Sequence, residues 1–226
     1  MRQIVLDEAL AIAPKLTTRQ MGALTVVFLF RYFQHSDIGS QEMLGEYLDL
    51  HVRPFAERLA PTGADFQHLQ FAGCSSLNAE PIGLETILAD VYQALFVPGV
   101  TADEIDVRQM LIDKADRRFF IRALNDPTKW QVRARNQGEL DRLCQEHRIS
   151  VRDRSMLSEL LNHGKLRPEG VRRKCIELRP YMAQVFEIWD TTDLKRLALT
   201  AIGIAIARAN VQWLVGSFAK LNVWIS

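Results

Sequence analysis

The sequence predicts a mainly α fold: a helical N-terminal lobe, then a C-terminal helical lobe with a small β element. Three observations lead there. Apolar residues recur at helical spacing along most of the chain. Helix-start pairs, Thr17 with Gln20 and Thr101 with Glu104, open two of those stretches. The strand-like runs are few and short. With 226 residues, 48% hydrophobic and 24% charged, the chain can bury a substantial core and lacks the composition of a disordered one.

Taken in order, Thr17 caps a helix over about 18–33. Its body (Met21, Leu24, Val27, Phe28, Leu29, Phe30) is apolar nearly all round, so it belongs at the centre of the fold. Leu44, Leu48, Val52, Phe55 and Leu59 mark a second helix, which Pro54 should kink or break. Phe66, Leu69 and Phe71, followed by Gly, Ser and Asn, suggest a short strand or ordered loop. "LETILADVYQALFVPG" returns to helix and ends at Pro98-Gly99, and 101–124 reads as helical behind Thr101. Three more helices follow, from "GELDRLCQEHRI", "SVRDRSMLSELLNHG" and "PEGVRRKCIELRPYMAQVFEIW", the last interrupted near Pro180. "DLKRLALT" is a possible strand, the Gly203 stretch a helix, and "LNVWI" a possible closing strand. In that last helix Ile202, Ile206, Ala209 and Trp213 form a core stripe, while Trp224 and Ile225 would complete a sheet or offer a pairing edge.

Residues 125–138 are the best boundary candidate, giving an acidic helical lobe over 1–128 and a basic lobe over 129–226. The first holds 11 Lys/Arg against 17 Asp/Glu and the second 17 against 10, within a net charge of +1. Three cysteines are too few for a disulfide scaffold and fit reduced thiols in a cytoplasm. Arg196 and Arg208 bracket only eleven apolar residues, where a membrane span needs about 20. A cytoplasmic protein without membrane insertion is expected.

The "LALTAIG" passage resembles the LT-x-x-G strand-to-helix step of winged-helix proteins, which makes the C-terminal lobe loosely winged-helix-like. "LTTRQMGALTVVFLFRYFQ" together with "LTAIGIAIARAN…LNVWI" resembles an uncharacterised family of bacterial proteins. That resemblance implies a bacterial intracellular origin and supplies no activity or functional residues.

Two constellations stand out. Arg148, Arg152, Arg154, Arg172, Arg173, Lys174 and Arg179 could track phosphates, although Glu159, Glu169 and Glu177 are interleaved and a salt-bridged surface explains them too. Cys144, His147, His163 and Cys175 carry the donor types of a tetrahedral zinc site. Only the first two are clipped together, however, and Cys144 shares an apolar helical face with Leu140. Glu42, Glu46 and His51 are a weaker metal candidate. No nucleophile elbow, phosphate loop or dinucleotide fingerprint occurs, and no cofactor is implied. The leading expectation is a non-enzymatic interaction or regulatory module that binds another protein or itself. Nucleic-acid binding and a zinc-stabilised or metal-dependent protein are the alternatives.

Overall fold

The structure, a computed structural model, describes residues 2–33 and 38–216. The expected closing strand with Trp224 and Ile225 lies outside the described residues. The chain is mainly helical, as its periodicity predicts. Helix α1 (Arg2–Ile12) precedes α2 (Thr18–Arg31), whose capping box forms: Gln20 N–H donates to Thr17 Oγ1 at 3.3 Å, and Thr17 N–H to Gln20 Oε1 at 2.9 Å. Next, α3 (Gln41–Tyr47) and α4 (Arg53–Ala56) are joined by a π-helical turn, Leu48–Val52. Pro54 therefore neither breaks nor ends the helix. Lacking an N–H, it removes the donor for the Leu50 carbonyl, and the preceding turn widens instead.

Helix α5 (Gly63–Phe71) replaces the strand or loop expected around Phe66 and Leu69. Asp65 is the reason: its carboxylate accepts from both the amide and the hydroxyl of Thr62 at 2.8 Å, a helix start hidden in "TGAD". Strand β1 (Ser75–Leu77) comes only afterwards. Helix α6 (Leu84–Val91) precedes α7 (Ala102–Asp106), which is a single turn and not the long helix expected over 101–124. Asp113 and Asp116 accept from the amides of Ala115 and Arg118, at 2.6 and 3.0 Å, and so offer the backbone a turn in place of a helix. Strands β2 (Phe120–Arg122) and β3 (Trp130–Val132) form a hairpin. Helices α8 (Gln137–Glu146), α9 (Val151–Leu161), α10 (Pro168–Leu178) and α11 (Met182–Thr191) follow, the last two separated at Pro180 as expected. Strand β4 (Leu197–Leu199) and helix α12 (Ala201–Val215) complete the described chain.

Two compact units result, and neither is continuous in sequence. The first takes residues 1–36, 45–87 and 172–226; the second takes 37–44 and 88–171. The step between 128 and 129 falls inside the second unit, between β2 and β3. Counted by unit, fourteen Lys/Arg stand against twelve Asp/Glu in the first and fourteen against fifteen in the second. Each is nearly neutral. The acid-to-base gradient along the sequence does not survive as a difference between folded bodies.

In the first unit α2 is the central helix, buried from Gly22 to Phe30. Helix α12 packs along it, and α1 along α12. Asn210 Nδ2 donates to Thr25 Oγ1 at 2.9 Å across the α2–α12 seam. Thr200 caps α12, with its hydroxyl accepting from Gly203 N–H at 3.2 Å. Gly203 itself lies against the Cys74 carbonyl, which would be 2.0 Å from an added Cβ, so only glycine fits there. The same loop pairs β1 antiparallel with β4, with Ser75 opposite Leu199. The buried residues of α12 are Gly203, Ile204, Ala205, Ile206, Ala207 and Val211, so Ile206 of the expected stripe is in the core. Trp213 is 81% exposed and Ala209 is exposed, so the expected stripe does not continue past Ile206, and Ala207 and Val211 carry the buried face onward. The second unit has its own core, in which Phe119, Phe120 and Val132 from the hairpin meet Leu140 and Cys144 of α8 and Leu157, Leu160 and Leu161 of α9. Among the described residues no helix is long and apolar enough to cross a membrane.

Candidate functional site

The most distinctive surface in the second unit is the start of α9. Helix α8 ends with paired backbone bonds, Arg148 N–H to Gln145 O at 3.2 Å and Ile149 N–H to Cys144 O at 2.9 Å. This closure places Arg148 in the left-handed region (φ 51), a position where glycine is the usual and less strained occupant. Ser150 then caps α9, accepting from Asp153 N–H at 3.0 Å. Asp153 is buried, and its Oδ1 accepts from Leu111 N–H at 3.3 Å, bringing the Leu111 loop to the start of α9.

Leu111 and Val151 at this junction are 89% and 87% exposed, and Val107, at the end of α7, is 80% exposed. Gln109, between Val107 and Leu111, also has a left-handed backbone (φ 50). Among the described residues Gln109 and Arg148 are the only non-glycine residues with positive φ. Each stands within three positions of an exposed apolar side chain. Arg148 and Arg152 are exposed and, among the described residues, pair with no acid. From Val151 an open groove of about 540 Å³ runs along α9 past Arg154, Ser155 and Ser158 to Asn162, with Gln137 and Asp141 of α8 on its other wall. Its walls are cross-linked: Ser158 Oγ donates to Gln137 Oε1 at 2.8 Å, Gln137 Nε2 to Asp141 Oδ1 at 2.8 Å, and Arg154 lies 3.0 Å from Asp141. Hydrogen bonds from Gln137 and then Arg154 hold the Asp141 carboxyl below its ordinary pKa, so the wall is charged near neutrality.

The other predicted basic residues are placed differently. Arg172, Arg173, Lys174 and Arg179 belong to the first unit, so the seven divide between two bodies. Arg172 bridges Glu85 at 2.5 Å and Asp190, and its guanidinium lies 4.9 Å over the Phe186 ring. Lys174 pairs with Glu177 at 3.2 Å and Arg179 with Asp49 at 2.5 Å, while Arg173 is exposed.

The four candidate zinc ligands are not gathered. Among the described residues no three His, Cys, Asp or Glu side chains converge as an ion site. Cys144 lies in the second unit's core, and burial pushes its thiol pKa up. Cys175 belongs to the first unit, where burial, then the Glu85 charge, push its thiol to about 12. Thiols held protonated are poor metal donors. His147 packs edge-on against Phe119 at 5.6 Å, and exposed His163 faces Glu104 at 3.5 Å. Glu42 and Glu46 are exposed, and the His51 ring lies tilted against Tyr47 at 5.1 Å.

Val107, Leu111 and Gln109 were invisible to helical periodicity, because 101–124 read as one helix and its exposed apolar residues as part of a buried face. The signal available was the density of aspartates after Ile105. No curated protein and no solved structure matches this chain. A family model does match, over residues 1–225, and it describes an uncharacterised family to which this chain therefore belongs.

Proposed function

We propose that the protein is a non-enzymatic interaction module whose second unit docks a partner protein along α9, inside a bacterial cytoplasm. The observation that carries this reading is the coincidence at one junction of exposed Leu111 and Val151, uncommitted Arg148 and Arg152, and two left-handed non-glycine residues. Strained backbone and bare apolar side chains both cost stability, and such costs gather where a surface has another use. The partner segment that fits is acidic, with apolar side chains for Val151 and Leu111, carboxylates for the two arginines, and a polar stretch for the groove. Three free, buried cysteines agree with a reducing compartment.

A photo-crosslinking side chain at Val151 or Ser155, with Glu80 as control, tests the reading in cells. Adducts from the first two positions and not the third, mapped to an acidic, apolar-containing segment and lost on Arg152→Glu, are expected. Equal labelling at all three positions, or none, would remove it.

Nucleic acid is the second reading, supported by those same uncommitted arginines. Phosphate contacts set the salt dependence of such binding. Seven contacts would cost roughly 10⁴-fold in affinity between 50 and 200 mM salt, and two only about 12-fold. Arg148 and Arg152 alone predict the shallow slope, and filter binding at the two salt concentrations measures it.

A further inference from the structure

We propose that the first unit carries a binding site for a small carboxylate with a hydroxyl or ammonium group on the adjacent carbon, formed by Asp49, Arg53, Arg179 and Tyr181. The π turn Leu48–Val52 closes with Arg53 N–H bonding Leu48 O, and turns of this kind recur at binding and catalytic sites. Gly45, Asp49 and Arg53 follow one another at four-residue intervals beside the chain between α10 and α11. The Arg179 guanidinium lies directly on Gly45, where a Cβ would come within 2.7 Å of it. Arg179 Nε donates to Asp49 Oδ2 at 2.5 Å, and its Nη1 to Leu178 O at 2.6 Å. Arg53 sits 5.8 Å over the Tyr181 ring and donates from Nε to Glu57 at 3.0 Å.

Among the described residues, four buried side-chain atoms have no hydrogen-bond partner, and two of them belong to this cluster: Asp49 Oδ1 and the Tyr181 hydroxyl. Buried polar atoms are nearly always satisfied, and the Asp49 charge is near enough to act on the Tyr181 phenol, so two such atoms in one cluster are an exception that calls for a partner. Burial, then the Asp49 charge, push the Tyr181 phenol above its ordinary pKa, which keeps it a neutral donor. The phenol and the remaining guanidinium N–H groups call for a carboxylate; Asp49 Oδ1 calls for an O–H or N–H beside it. A simple anion would leave Asp49 facing like charge, and a simple cation would face two guanidinium groups. A hydroxy- or amino-carboxylate meets both demands with one molecule. Arg53 and Arg179, part-exposed at 57% and 28% of their side chains, form the entrance.

The test is thermal unfolding of the full chain, alone and with glycolate, glycine or acetate at about 10 mM, since a ligand that binds only the folded state raises Tm. Glycolate or glycine should raise Tm and acetate should not. Tyr181→Phe should raise the Tm of the ligand-free protein by about 2–4 °C, because it removes a buried unpaired hydroxyl, and should weaken ligand binding about tenfold. Asp49→Asn should abolish the difference between glycolate and acetate. A lower ligand-free Tm for Tyr181→Phe would show that the hydroxyl has a structural partner and overturn the proposal. So would wild-type protein that responds to glycolate and glycine no more than to acetate.

Discussion

Arginines of α10 and of the α8–α9 turn are used in opposite ways. Arg172 is held between Glu85 and Asp190 and laid over Phe186, with Glu85 only 7% exposed. Arg148 reaches solvent from a strained turn and Arg152 from the first turn of α9, beside bare valine and leucine side chains. At Arg172 charge serves to tie helices of the first unit to one another. In the second, at this one junction, it has no internal use. The contrast teaches that basic residues counted along a sequence say little until each has been checked for an acid that already occupies it.

Four substitutions would break or sharpen that contrast. Gly203→Ala should have the largest effect, about 3 kcal/mol or more in urea unfolding, because the Cys74 carbonyl is backbone and cannot yield to a Cβ 2.0 Å away. A loss under about 1 kcal/mol would mean that the first unit is less rigid than its packing implies. Arg172→Ala should cost about 2–3 kcal/mol, less than a fully buried pair because Arg172 is itself 36% exposed, but still large because Glu85 is left unpaired.

The third concerns pH. Burial raises the Asp65 pKa, but hydrogen bonds from Thr62 and the Arg19 charge outweigh it, and the net shift is downward. A depressed folded-state pKa gives stability that is present above about pH 4, the unfolded value, and is lost as pH falls through the folded one. Asp65→Asn should therefore cost about 1 kcal/mol at neutral pH and flatten the stability profile below about pH 4. An unchanged profile would place the acid sensitivity elsewhere.

Arg148→Gly is the smallest effect on stability and the sharpest for function. Relief of the left-handed strain should stabilise the protein by about 0.5–1 kcal/mol, while crosslinking from Val151 falls. Stabilisation with undiminished crosslinking would separate the arginine from the docking surface.

Much of the helical framework was legible in the sequence. Thr17 and Gln20 form the box their spacing predicts, and Pro180 separates two helices. Where reading failed, short-range polar chemistry had overridden apolar periodicity. Asp65 started a helix where Phe66 and Phe71 looked strand-like. Asp113 and Asp116 dissolved a helix that Ile105, Met110 and Ile112 seemed to extend. The proposed sites were less legible still. Arg148 and Arg152 could be named, but Leu111 is brought to the start of α9 through one hydrogen bond to Asp153, and the Asp49 charge acts on Tyr181 across 132 positions of sequence. No local pattern encodes such pairings.

The seam between α2 and α12 joins Thr25 to Asn210, with the whole second unit encoded between them. During synthesis, then, the central buried helix of the first unit leaves the ribosome long before the one that covers it. The second unit, whose contacts are nearer in sequence, can complete itself while α2 waits. Nascent chains stalled near residue 171 should consequently recruit chaperones through Ala23–Phe30, and release of that hold should coincide with emergence of α12.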